Sequence, residues 1–230
     1  MPFPLSENKA TSCFDLLHCD IWGAYKVESL CGARYFLTIV DDASRGTWVY
    51  LMNDKGEASK LIMNFCVMVK TQFNMHVKVI RSDNGKEFTS TPMKKFYADN
   101  GIIHETSCVD TPQQNGRAER KHRHILIVAR ALRFQANLPL EFWGKCVLAA
   151  AYLINRTPTP VLDGKTPYEV LFNAQPTYDH IKVFGCLCYA HKYQRQKDKF
   201  ASRSRKCILW VILLGRKVGR FMIWILENYL

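Results

Sequence analysis

Short apolar runs and helically spaced apolar positions divide the first two thirds of this chain into strands and helices. Five runs, rich in β-branched or aromatic residues and bounded by turn residues, predict strands at 14–22, 34–41, 46–52, 77–81 and 102–106. Apolar residues that recur every three or four positions predict helices at 55–73, 90–99, 115–134 and 139–155. This order of elements predicts the α/β class, with a mixed sheet and helices on both of its faces.

The character of the sequence changes near Arg156. The turn-rich segment TPTPVLDGKTP predicts the start of a linker, and the basic stretch beyond it predicts a short extension with one strand at 183–190. The predicted organisation is therefore a lead-in at 1–12, a globular core at 13–160, a linker with a basic C-terminal extension at 161–208, and a tail at 209–230.

Composition narrows the class of partner. The chain of 230 residues is 48% hydrophobic and carries 32 Lys and Arg against 20 Asp and Glu. A net charge of +12 favours a polyanion, either nucleic acid or an acidic membrane surface, although many basic proteins are merely soluble. The apolar stretch 207–214 is too short to span a bilayer, so no membrane partner is expected. Nine scattered cysteines without a secretory signal fit a reducing compartment, and we expect a location in the nucleus or cytoplasm.

Three acidic residues stand in settings that suggest chemistry. Asp20 lies inside an apolar strand, Asp83 follows another strand at the turn DNG, and Glu119 lies in the first turns of a long helix. A buried carboxylate without a partner is costly, and three carboxylates together repel one another unless a cation lies between them. Oxygen ligands suit divalent ions, and two such ions about 3.5–4 Å apart can act on a phosphodiester.

Bare spacing leaves other interpretations of these acids open. Asp41 and Asp42 are rival candidates in the same part of the sequence. An Asp before Asn-Gly commonly forms a turn, and a Glu in the first turn of a helix commonly complements the helix dipole.

Basic residues crowd the helix that carries Glu119. Its six cations are Arg117, Arg120, Lys121, Arg123, Arg130 and Arg133. Cations neutralise phosphates, and Asn or Gln can reach sugars or base edges, so we predict a DNA-binding surface. Its candidate residues are Lys86, Gln114, Asn115, Arg120, Lys121 and Arg123. The alternative is a solvated helix face, and a second basic run at 191–206 is a nucleic-acid tail, a nuclear-import segment or a solvated linker.

Several long phrases together resemble the integrase core of copia-type LTR retrotransposon polyproteins. They occur in order over about residues 2–208: CDIWG, RYFLTIVDDASR, VIRSDNGKEF, SCVDTPQQNGRAERKHRHILIVARAL, LINRTPTPVLDGKTPYE and KVFGCLCYA. The resemblance implies an RNase H-like fold with a five-stranded sheet, in which Asp20, Asp83 and Glu119 match the catalytic D,D-35-E ligands of two Mg²⁺ (or Mn²⁺) ions. It also implies trimming of retroelement DNA ends, strand transfer into target DNA, and a homo-oligomer on DNA, with no small-molecule substrate.

The chain also departs from that family. The cysteines and histidines at 180–191 match no standard zinc spacing, and the zinc domain that the resemblance implies ahead of the core is expected to be missing. After Cys207 the sequence leaves the family pattern, while an adjacent reading frame can restore it, so we expect a frameshift near residue 208 and an out-of-frame tail at 209–230. The apolar segments of such a tail favour aggregation.

Three functions follow from these patterns. The first is a metal-dependent polynucleotidyl transferase core, in a truncated or degenerate copy of a retroelement. The second is a catalytically silent remnant that binds nucleic acid. A third, a cellular RNase H-like nuclease, is disfavoured because the phrases TPQQNG and AERKH belong to the integrase resemblance.

Overall fold

A five-stranded mixed sheet forms the centre of the protein in a computed structural model that describes residues 10–106, 116–191, 203–209 and 224–225. Its strands are β1 Leu16–Trp22, β2 Tyr35–Asp41, β3 Thr47–Met52, β4 Val79–Ser82 and β5 Ile103–Thr106. The spatial order is β3-β2-β1-β4-β5, with β1, β2 and β3 antiparallel and with β4 and β5 parallel to β1. The predicted mixed sheet is therefore confirmed.

Within the described residues, six helices accompany the sheet. They are α1 Glu57–Phe73, α2 Lys86–Thr89, α3 Thr91–Asp99, α4 Gly116–Gln135, α5 Trp143–Ile154 and α6 Pro167–Phe172. Helix α5 begins four residues later than the pattern predicts, because Pro139 is extended and a short 3₁₀ turn at Leu140–Phe142 comes first. Helix α6 lies where a linker is predicted, and a capping box between Thr166 and Glu169 starts it.

Apolar side chains cover both faces of the sheet. On one face, Leu37 and Ile39 of β2 belong to the cluster that contains the buried residues of α1 and α3. On the other face, Phe36 of β2 packs with the buried residues of α4 and α5. Because side chains alternate along a strand, one central strand supplies both cores, and the prediction of helices on both faces is confirmed.

A small antiparallel sheet follows the core. It consists of β6 Leu187–His191, β7 Ser204–Ile208 and β8 Trp224–Ile225. Phe184 and Ile208 attach this region to the core formed by α4 and α5. His180 bonds to the Tyr152 hydroxyl, and Cys188 lies opposite Cys207 in the sheet. Most of the tail lies outside the described residues, so the frameshift stays a prediction. No helix in the described ranges combines the length and apolarity needed to cross a bilayer.

Candidate active site

Asp20 lies near the end of the central strand β1, where the pairing with β4 has stopped. The parallel register pairs His18 with Arg81, so Asp20 and Asp83 both lie two residues beyond the last pair, on neighbouring strand ends. The Asp20 side chain is 15% exposed, and its Oδ1 accepts a hydrogen bond of 2.9 Å from the backbone N–H of Ile21. This position at a strand end explains how a carboxylate can occupy an otherwise apolar strand.

Asp83 begins the turn between β4 and α2. Its Oδ1 accepts a hydrogen bond of 3.0 Å from the backbone N–H of Gly85, and its carbonyl accepts one of 2.9 Å from the Ser82 hydroxyl. The turn-forming role that the sequence left open is therefore real. It uses one carboxylate oxygen and does not exclude a second role for the side chain.

Glu119 lies in the first turn of α4, exposed, on the helix that packs over β1 and β2. Burial raises the pKa of Asp20 from 3.8 to about 7. The negative charges of Asp83 and Glu119 raise the same pKa further. The Lys55 ammonium acts in the opposite direction on the same pKa. The structure thus brings Asp83 and Glu119 within electrostatic range of Asp20.

The donor set suits a hard divalent cation. Three carboxylates supply only oxygen ligands, which Mg²⁺ and Mn²⁺ prefer. With a pKa of about 7, Asp20 keeps its proton up to about neutral pH. A bound divalent ion would take the place of that proton and neutralise the carboxylate. Across the ranges that the structure describes, however, no three His, Cys, Asp or Glu side chains are already arranged as a metal-binding group. The chemistry fits the ion, while the side chains are not yet converged.

His122 contacts Asp20 from one turn beyond Glu119. Its Nδ1 lies 3.5 Å from Asp20 Oδ2, and its ring meets Phe36 edge-on. Burial lowers the pKa of His122 to about 4, so near neutral pH the imidazole is neutral and the pair is not a salt bridge. His122 lies three positions after Glu119 on the same face of α4 but is not among the predicted site residues, because a buried histidine looks like any polar position until its neighbours are known.

The rival acids Asp41 and Asp42 have structural roles. Asp41 accepts hydrogen bonds from the backbone N–H of Phe14 at 2.7 Å and from the Ser44 hydroxyl at 2.5 Å. Asp42 is fully buried, and four groups surround its carboxylate: the backbone N–H of Ala10, the imidazole of His18, and the guanidinium groups of Arg45 and Arg117. These carboxylates hold loops and a helix in place.

The Asp42–Arg117 pair ties the start of α4 to the end of β2. Arg117 therefore does not lie on a free cationic face, as the sequence suggested, but points into the protein two residues before Glu119. Burial lowers the pKa of His18 to about 3, so His18 takes part in this cluster as a neutral group. We name Asp42, His18, Arg45 and Arg117 the Asp42 cluster.

The predicted DNA-binding residues differ in their exposure. Lys86, Arg120 and Arg123 are exposed. Lys121 is half-buried, and burial together with the positive charge of Arg45 lowers its pKa to about 8. Gln114 and Asn115 lie outside the described residues. Lys55, which the sequence did not indicate, is an exposed cation close enough to act on Asp20.

Removal of an exposed cation of α4 should weaken the salt dependence of DNA binding. Because each phosphate contact releases a counterion, Arg120→Ala or Arg123→Ala should reduce the slope of log K against log salt concentration by about 1. Fluorescence titrations of the full chain with duplex DNA at several salt concentrations measure the slope. Lys70→Ala, on α1 across the sheet, should leave it unchanged. Equal slopes for all variants would rule out phosphate contacts at α4.

Comparisons with known proteins find similar sequences among retrotransposon polyproteins. Residues 10–112 match the family of the integrase core domain. The chain is 38% identical over 206 residues to the retrovirus-related Pol polyprotein from transposon TNT 1-94 of Nicotiana tabacum, and 34% identical over 208 residues to that from transposon RE1 of Arabidopsis thaliana. Each alignment covers 90% of this chain, which spans only 16% and 14% of the two polyproteins.

A solved structure supports the fold. The HTLV-2 integrase catalytic core domain in complex with magnesium, in a trimeric form, aligns with a TM-score of 0.53 and 18% sequence identity. The alignment covers 71% of this chain and 99% of that one. The predicted RNase H-like fold of an integrase core is therefore confirmed.

Proposed function

Because residues 10–112 match the family of the integrase core domain, we propose that this chain is a polynucleotidyl transferase core for DNA integration. Its reactions are the trimming of retroelement DNA 3′ ends and their transfer into target DNA. The observation that carries the proposal is the position of Asp20 and Asp83 at neighbouring strand ends, with Glu119 close enough for its negative charge to raise the pKa of Asp20.

The reaction exchanges one phosphodiester oxygen for another. A water molecule or a DNA 3′-hydroxyl attacks phosphorus, a new P–O bond forms, and the bond to the departing 3′-oxygen breaks. The nucleophile loses a proton, and the leaving 3′-oxygen gains one. Asp20, Asp83 and Glu119 would hold one or two Mg²⁺ or Mn²⁺ ions, which when bound activate the nucleophile and stabilise the leaving oxygen.

The fold orients the three carboxylates, and exposed cations orient the DNA. Asp20 and Asp83 start from adjacent strand ends, and the Asp42 cluster fixes the helix turn that carries Glu119. Exposed Lys86, Arg120 and Arg123 would neutralise phosphates of the retroelement and target DNA. Integration joins two DNA ends to one target, so we expect the protein to act as a homo-oligomer on DNA.

Asp83→Asn should abolish strand cleavage. The amide keeps the turn hydrogen bond to Gly85 but removes the charge that a metal ligand needs, so turnover should fall to background. The assay incubates the full chain with a branched disintegration substrate and Mn²⁺ or Mg²⁺, and gels resolve the rejoined strands. Asp99→Asn, at an exposed position that ends α3, should retain wild-type activity.

The same assay separates the alternatives. Wild type that matches Asp83→Asn, yet binds DNA with a steep salt dependence, would indicate the silent nucleic-acid-binding remnant. That alternative draws on the absence, in the described ranges, of a converged metal-binding group. Cleavage of RNA–DNA hybrids in place of strand joining would instead indicate a nuclease.

A further inference from the structure

An aromatic cavity of about 360 Å³ lies between the end of β1 and the helices α4 and α5. Three rings, those of Trp22, Tyr25 and Trp143, form much of its lining, and Leu126 adds an aliphatic wall. Its volume falls in the range of small-molecule sites in proteins. None of the roles described above uses this cavity.

The cavity adjoins the carboxylates. Trp22 follows Asp20 by two positions, so the two side chains point to the same side of β1, about 7 Å apart along the strand. On α4, His122 contacts Asp20, and Leu126 and Arg130 continue the same stripe at steps of four residues into the lining of the cavity.

The aromatic rings are held in place by their neighbours. The indole N–H of Trp143 donates to the carbonyl of Val27 at 2.9 Å. Trp22 stacks on Phe36 with ring centroids 5.1 Å apart and an interplanar angle of 25°. Tyr25 lies 5.5 Å from Trp22 and meets Trp143 edge-on. These contacts hold the three rings in place. Because Trp22 and Tyr25 are only half-buried, their rings offer a preformed surface to a planar ligand.

Two arginines of α4 give the cavity a positive charge. Arg130 is exposed and Arg133 is half-buried. Arg133 donates one N–H to the carbonyl of Leu138 at 2.9 Å and lies 4.4 Å from the centroid of the Phe134 ring. No carboxylate forms an ion pair with either guanidinium among residues 10–106, 116–191 and 203–209. Aromatic faces beside such cations are the combination that binds single-stranded nucleic acid.

We propose that this cavity binds one unstacked nucleobase of the DNA strand whose phosphate is engaged at Asp20, Asp83 and Glu119. The base stacks on Trp22 or Tyr25, and Arg130 contacts a phosphate of the same strand. The proposal rests on the function proposed above and adds to it a place for the frayed end of the DNA. The charge of the two arginines favours this occupant over an apolar peptide of a partner protein.

Abasic substitution along one DNA strand tests the proposal. The full chain is titrated with a short duplex that has a single-stranded 3′ end, in versions that lack one base at successive positions. Loss of the base that occupies the cavity should weaken binding about tenfold at one position, while loss of the other bases has little effect. A flat profile, with salt-dependent binding retained, would overturn the cavity proposal and leave the proposed function standing. Absence of salt-dependent binding to any duplex would overturn both.

Variants of Tyr25 locate the effect in the cavity. Tyr25→Ala should weaken binding to the intact strand about tenfold but should barely change binding to the sensitive abasic strand, because the stacking partner is already gone. Tyr25→Phe keeps the ring and should bind as wild type does. Equal losses by Tyr25→Ala on both strands would contradict stacking. A change in self-association without any change in DNA affinity would show that a protein surface, not a base, occupies the cavity.

Discussion

Asp20→Asn is expected to stabilise the metal-free protein at pH 8 by about 2–4 kcal/mol. Asp20 has a pKa of about 7 in the folded protein against an ordinary value of 3.8. Stability from its protonated form is therefore complete below about pH 4 and is lost as the pH rises through about 7. At pH 8 the wild type must bury a charged carboxylate, whereas the amide of asparagine carries no charge and can still accept the hydrogen bond from Ile21.

Denaturant unfolding of wild type and Asp20→Asn in a chelating buffer, at pH 4 and pH 8, measures this difference. The gain should vanish at pH 4, and Mn²⁺ at pH 8 should stabilise the wild type more than the variant. Asp99→Asn, at an exposed position, should show no such pattern. Equal unfolding free energies at pH 8 would show that the site tolerates the charge without a cation.

Asp42→Ala is expected to cost about 3–5 kcal/mol of unfolding free energy, because it leaves Arg45 and Arg117 without their buried partner. The matched control is Asp15→Ala, which breaks an ion pair of 2.8 Å with the 67%-exposed Lys78. A pair so open to solvent contributes at most about 1 kcal/mol. Denaturant unfolding of both variants at pH 7 measures the difference.

The double variant Asp42→Ala/Arg117→Ala adds a second measurement. Removal of the cation together with the anion should recover part of the lost stability, because the uncompensated buried charge disappears. If Asp42→Ala costs no more than Asp15→Ala, the Asp42 cluster does not anchor the start of α4.

The strands and helices of the core can be predicted from the sequence, because burial of one face makes apolar residues recur with the period of a strand or a helix. The strand at 35–41 and the helix at 116–135 were predicted within one residue of each end. The helix at Pro167–Phe172 was missed, although Thr166 and Glu169 carry a capping-box signal. Here the turn-rich composition concealed a local pattern that was present in the sequence.

The candidate site was harder to predict from the sequence, because it depends on contacts between residues that are distant in the chain. The register between β1 and β4 could not be predicted from the sequence, and it is this register that sets Asp20 beside Asp83. The roles of Asp41 and Asp42 were equally hidden, since Asp42 meets Arg117 across 75 positions of sequence. The phrases shared with a family identified the carboxylates, while only the fold shows which acids are already engaged in hydrogen bonds.

The anchor between β2 and α4 changes what the spacing of the acids means. Since Arg117 is held by Asp42, the direction of Glu119 depends on that pair. It does not depend on the length of chain that joins Asp83, after β4, to Glu119 on α4. A longer connection would cost only loop-closure entropy, about 0.6 kcal/mol for each doubling of its length. The connection between Asp83 and Glu119 is then expected to tolerate a change of length without a change in the direction of Glu119.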